Sequence, residues 1–155
     1  MNRSLLLPFL ILAAPSFGWA PQASSRPELH VRSPHSFEKT VQRLKDASAE
    51  AKFSVVFELD VTARAKEKDI VIPPTTILGV CSAKYASAVL AADLRAVPNL
   101  PCRIAVTERD GRVDIWTMDV LQIAEHYSGE TMGQTAREID TTVRKILAAG
   151  TALTP

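Results

Sequence analysis

Between Glu28 and Gly150 the apolar positions fall into runs whose spacing changes from every second residue to helical spacing and back, and each change marks a new element. Glu28 to Arg32 alternates loosely, with Leu29 and Val31 on one side, and predicts a first strand. Phe37, Val41, Leu44, Ala47 and Ala51 then recur at helical spacing behind Ser36, a residue suited to the N-cap. Glu38, Lys39, Gln42, Arg43, Lys45 and Asp46 take the other side, so the stripe predicts a helix docked on a core. Phe53 to Asp60 alternates strictly and predicts a half-buried strand, with Phe53, Val55, Phe57 and Leu59 inward and Ser54, Val56, Glu58 and Asp60 outward.

The charged stretch Val61 to Lys68 predicts a short helix or turn, ended ahead of Pro73-Pro74, which force extended backbone. Thr75 to Cys81 is apolar on both faces, as in a central strand, and Gly79 within it predicts close approach by another backbone or a ligand. Ser82 is placed to cap a helix through about Asp93, with Ala86, Val89 and Leu90 toward the core. Pro98 and Pro101 keep Leu94 to Pro101 from continuing it. Cys102 to Glu108 and Arg112 to Met118 flank Asp110-Gly111, and a two-residue type I′ turn there predicts an antiparallel hairpin. A short helical piece through Val120, Ile123 and Ala124 and a turn at Ser128-Gly129 lead into a last long helix. Its stripe is Met132, Ala136, Ile139, Val143, Ile146 and Leu147, with Gly150 as C-terminal cap. The elements together predict an α+β fold: a two-layer sandwich with a mainly antiparallel sheet of about five strands and helices packed on one face.

Composition adds that this is one domain, since 155 residues at 46% hydrophobic and 23% charged have the balance of an ordinary globular unit. Ahead of it, Arg3, the apolar run Leu5 to Ala14 and the small-x-small end Gly18-Trp19-Ala20 predict a signal peptide over residues 1–20, cleaved after Ala20. Residues 21–27 read as a linker, 28–150 as the domain and 151–155 as a tail; the expected location is periplasmic or secreted. No later stretch is long and apolar enough to cross a bilayer, which takes about 20 residues. With 18 Lys and Arg against 17 Asp and Glu, nothing in the charge calls for nucleic acid as a partner.

Candidate chemistry centres on the only two cysteines, Cys81 and Cys102. Cys81 lies just before a predicted helix N-terminus, where free N–H groups and the helix dipole stabilise a thiolate. Cys102 shares a strand face with Ile104 and Val106 and is expected inward. Their separation depends on Leu94 to Pro101. A parallel re-entry sets them roughly 20 Å apart, beyond the reach of a disulfide, whereas an antiparallel one makes them neighbours. Three readings stay open: buried small residues or a structural disulfide; a thiol oxidoreductase or sulfur-transfer pair with Cys81 as nucleophile and Cys102 as resolving thiol; and a soft-metal or haem site with Cys81, Cys102, Met118 and His126, or Met132, as ligands. The spacing C-x20-C matches no standard zinc pattern.

His30, His35 and His126 read as surface or capping residues, and Glu58 with Asp60 as an outward pair of strand carboxylates. Trp116, opposite in facing to Ile115, is expected to cover a second core or a subunit interface. No G-x-S-x-G, H-E-x-x-H, phosphate-binding glycine loop or dinucleotide fingerprint is present. The expectation is therefore a binding or dimerising module, not an enzyme, with Gly79, Cys81, Ser82 and Cys102 as ligand contacts and no cofactor identified.

The order of motifs resembles the family called domain of unknown function 302, from Ser33 to about Leu147. The resemblance rests on Ser36-Phe37-Glu38, Glu58-Leu59-Asp60-Val61, Ile77-Leu78-Gly79-Val80-Cys81, Leu100-Pro101-Cys102 and Asp119. Ser82-Ala83 stands where a family subgroup has Asn-Pro after the first cysteine, and Val97-Pro98-Asn99-Leu100 replaces a Gly- and Leu-containing run. The resemblance implies an α/β domain, often a homodimer, and no established reaction.

Overall fold

The turn at Asp110-Gly111 has the positive φ values that a type I′ hairpin needs, +53° and +71°, and the sheet is built outward from the strands it joins. In the computed structural model, residues 28–153 are described. The signal peptide and linker assigned to 1–27, and the last two residues of the tail, lie outside the described residues. In chain order the elements are β1 (Glu28–Ser33), α1 (Phe37–Glu50), β2 (Ser54–Asp60), α2 (Val61–Lys66), β3 (Thr75–Cys81), α3 (Ala83–Ala92), a 3-10 turn (Leu94–Asn99), β4 (Cys102–Arg109), β5 (Arg112–Met118), α4 (Val120–Ala124) and α5 (Glu130–Thr151).

The five strands form one sheet in the order β1-β5-β4-β3-β2, with every neighbouring pair antiparallel. Helices α1, α3 and α5 cover one face. Ser36 caps α1 as expected, its hydroxyl accepting from the Lys39 N–H at 3.3 Å. The apolar stripe of α5 is buried from Met132 to Leu147, and it meets Leu44 of α1 and Leu78, Val80, Ile104, Val106 and Ile115 of the sheet in one core. Each of the fully enclosed Leu and Ile side chains contributes on the order of 2–3 kcal/mol through the apolar area it removes from water.

Gly150 does not cap α5, which continues to Thr151. A Cβ there would lie 2.6 Å from Leu44 Cδ2, so the glycine serves the close approach of α5 to α1. A second departure is in β2. The pairing with β3 shifts between Val55 and Phe57, leaving Val56 as the extra residue of a bulge. Because side chains alternate, one extra residue moves everything after it to the opposite face. Phe53 is buried and Val55 half-buried as the alternation predicts. Phe57 and Leu59, expected inward, stand on the helix-free face at 39% exposure each. Glu58 and Asp60 turn the other way and form no carboxylate pair: Glu58 accepts from Lys45 Nζ of α1 at 2.7 Å, and Asp60 caps α2 through the Ala63 N–H at 2.8 Å.

Candidate functional site

After β3 the chain runs out along α3 and returns through the 3-10 turn, so β4 enters antiparallel to β3 with Cys102 opposite Val80. Of the two paths open to Leu94–Pro101, this is the one that brings the cysteines to the same end of the sheet. They are offset by one residue, which on a pleated sheet sends their side chains to opposite faces. Cys102 lies with Val80 and Ile104 on the helix face. Cys81 pairs with Ser54 on the helix-free face. Both are free thiols.

Cys102 borders a cavity of about 60 Å³ between the start of β4, the end of β5, the 3-10 turn, α3, α4 and α5. Its wall is largely apolar, with Val89, Leu100, Ile123, Met132, Ala136 and Ile139 among the lining residues. Three polar side chains near it are engaged. Thr117 Oγ1 donates to the Arg103 carbonyl at 2.7 Å, and Asn99 Nδ2 donates to Tyr127 Oη at 2.8 Å. Tyr127 Oη also donates to the Arg95 carbonyl at 3.3 Å. Asn99, Tyr127, Ile123 and Met118 border both this cavity and a surface groove outside it, so they form the wall between the two. Asp93 holds Arg95 on the far side of the turn, and the Arg95 hydrogen bond lowers the Asp93 pKa below the ordinary carboxylate value.

Burial pushes the Cys102 thiol from 9.0 up to about 11, and the nearby Cys81 adds to the rise by disfavouring a second negative charge. At neutral pH only about one molecule in ten thousand carries a Cys102 thiolate. The site is thus a neutral thiol facing an apolar space.

The remaining residues singled out in the sequence are dispersed. Gly79 meets no ligand-sized space, because the ring of Phe57 lies over it. Ser82 is the N-cap residue of α3 without a side-chain hydrogen bond to the helix. Met118 touches the cavity wall and His126 only the outer groove, so the four proposed metal ligands are not gathered at one point. Among the described residues there is no group of three or more His, Cys, Asp or Glu placed to hold a metal ion. His30 Nε2 bonds Asp114 at 2.7 Å and its ring stacks on Trp116 at 4.1 Å, while His35 Nε2 bonds the Ala152 carbonyl at 2.8 Å. The His30 hydrogen bond holds the Asp114 carboxyl below its ordinary range.

Two features escaped the sequence reading. The cavity is assembled from residues of six elements, and only the prolines that bend the 3-10 turn hinted at it. The second is a charge cluster in which Asp119 caps α4 through the Leu121 and Gln122 N–H groups and faces Arg144 at 3.6 Å. Arg144 is held at 2.8 Å by Asp140, whose hydrogen bond raises the guanidinium pKa. The spacing of Asp140 and Arg144, one helical turn apart, was the available signal.

No curated protein matches the chain. Solved structures similar to it include the crystal structure of uncharacterized conserved protein DUF302 from Bacillus stearothermophilus, with a TM-score of 0.74, 22% identity and coverage of 79% of this chain and 97% of that one. At that identity the likeness shows the fold alone. The family described as Domain of unknown function DUF302 matches residues 29–150, and the chain belongs to that family.

Proposed function

We propose that this protein is a non-enzymatic binding module that takes a small, uncharged, apolar ligand in the cavity beside Cys102. The observation that carries the reading is the small, largely apolar space with the neutral Cys102 thiol on its border. An enclosed 150 Å³ apolar cavity accepts benzene or xenon; one of about 60 Å³ takes a ligand of roughly two to four non-hydrogen atoms, or the end of a longer chain entering past Tyr127. Haem is far larger than this space. A thiol-exchange cycle needs Cys81 and Cys102 to meet, which their placement on opposite faces opposes.

The module works outside the cytoplasm, a reading supported by Arg3, the apolar run Leu5 to Ala14 and the small-residue end at Ala20. It pairs with a second copy, supported by a sheet face that, among the described residues, no helix covers and that carries exposed Phe57, Leu59 and Trp116.

The test of the cavity is an NMR titration with cyclopropane or ethanethiol. Saturable shifts at Cys102, Ala124 and Ala136 are expected, and Ala124→Leu, which extends a half-buried side chain toward the space, is expected to remove them. Absence of shifts in the native protein, or equal shifts in Ala124→Leu, would overturn the reading.

A further inference from the structure

The register of β3 and the hairpin sets a row of polar side chains across the sheet face opposite α5. Thr75 pairs with Thr107, Thr107 with Asp114 and Asp114 with Arg32, on four successive strands. Trp116 follows Asp114 by two residues on β5 and so stands on the same face, 36% exposed. Its indole is fixed by the stacked His30 ring at 4.1 Å and by donating from Nε1 to Thr107 Oγ1 at 3.1 Å. A cleft of about 390 Å³ opens between Trp116, Asp114, Thr107, Thr75, Arg109 and Pro73. It touches Trp116 and not His30, so it lies against the part of the indole that the histidine leaves uncovered. Glu108 also borders it, from the strand position paired with Val113, whose side chain is buried on the helix side.

We propose that this cleft binds a neutral saccharide, with one pyranose face against the indole. The site goes beyond the reading above, since it is separate from the cavity beside Cys102 and lies on the other side of the sheet. A ligand here meets both signs of charge in one space, the Asp114 carboxylate and the Arg109 guanidinium, so a cation is opposed by one and an anion by the other. What matches both is an uncharged molecule rich in donors and acceptors, and the cleft offers that mixture in return. His30 and Arg32 both approach Asp114 Oδ1, and Oδ2, with no hydrogen bond among the described residues, is left to accept from a hydroxyl. Thr107 Oγ1 accepts from Trp116, which leaves its own proton to donate. Thr75 Oγ1 donates to the Pro73 carbonyl at 2.9 Å, which leaves its lone pairs to accept. The C–H face of a pyranose is apolar and weakly positive and suits the negative face of an immobilised indole, whereas a wholly apolar ligand would leave these polar groups unpaired. The volume is within the range of small-molecule sites, about 300–1,000 Å³.

Fluorescence titration of the full chain carrying Trp19→Phe, in which Trp116 is the remaining tryptophan, tests this. Sub-micromolar protein keeps the pairing proposed for the same face from competing. The probes are methyl glucoside, methyl galactoside and N-acetylglucosamine, set against choline as a cation and glucuronate as an anion. A saturable change in Trp116 emission is expected with at least one of the neutral sugars, with a Kd raised about tenfold by Arg109→Ala and by Asp114→Asn. No saturable change with any neutral sugar would overturn the site, as would tighter binding of choline or glucuronate than of every neutral sugar. A sugar response equal in both variants to that of the parent chain would overturn it too. Arg109 is exposed at the end of β4, so Arg109→Ala is expected to keep the fold and decides where the two variants disagree or Asp114→Asn fails to fold.

Discussion

Replacing Gly79 with alanine probes the bulge and the flat sheet face together. A Cβ at this position would lie within 2.7 Å of three ring carbons of Phe57, well inside the ordinary carbon–carbon contact of about 3.5–4.0 Å. The backbone on both strands is paired, so the ring must give way. Phe57 is 39% exposed, which leaves on the order of 120 Å² of its surface covered. Lifting the ring uncovers about half of that, and at about 25 cal/mol per Å² the loss is roughly 1.5 kcal/mol. Alanine in a strand regains about 0.5–1 kcal/mol over glycine, so the net destabilisation is about 0.5–1 kcal/mol. The sign is the decisive part. In a Phe57→Ala background the ring is gone, and Gly79→Ala then stabilises by about 0.5–1 kcal/mol. Urea unfolding of the four proteins, followed by far-UV circular dichroism at one fixed concentration, measures the cycle. A coupling of about 1.5 kcal/mol is expected; the same effect of Gly79→Ala in both backgrounds would refute the placement of Phe57 on this face.

Three further perturbations follow from the same geometry. Since the folded-state thiol of Cys102 is raised to about 11 from 9.0, its contribution is intact below pH 9 and is lost as pH rises toward 11, by roughly 3 kcal/mol in full; Cys102→Ala is expected to flatten this alkaline limb in denaturant titrations. Gly150→Ala drives a methyl against the fully buried Leu44 and is expected to cost about 1–2 kcal/mol after the gain in helix propensity, read as a lowered Tm and relieved in a Leu44→Ala background. Asp119→Ala removes two capping hydrogen bonds from α4 and is expected to cost about 1 kcal/mol in thermal melts, most of it recovered by Asp119→Ser.

Periodicity exposed most of the fold because nearly every element has one buried face. The stripes of α1 and α5 and the turn at Asp110-Gly111 depend on local spacing and local backbone preference, and both were readable. What periodicity could not carry was a change of phase within one run. Val55, Val56 and Phe57 are all apolar, so the residue left over by the bulge had no polar signature, and the inward assignment of Phe57 and Leu59 was lost with it. Gly150 misled for a related reason: a glycine near a helix end suits a cap, and only the position of Leu44 on another helix shows that close approach is its task. The inward facing of Cys102 was legible from Ile104 and Val106, whereas the cavity beside it depends on how the 3-10 turn, α4 and α5 come together, which no spacing encodes. Cys81 was correctly placed at a strand end before a helix, yet which face it takes follows from its register against Ser54 and Cys102.

The most direct test is a crystal of the protein pressurised with xenon. Xenon is small, uncharged and polarisable, and it enters dry apolar cavities without needing a hydrogen bond. The account predicts one well-occupied xenon beside Cys102, in contact with Met132 and Ala136, with both thiols still free. A cavity that stays empty of xenon while Cys81 and Cys102 are found bridged would contradict it.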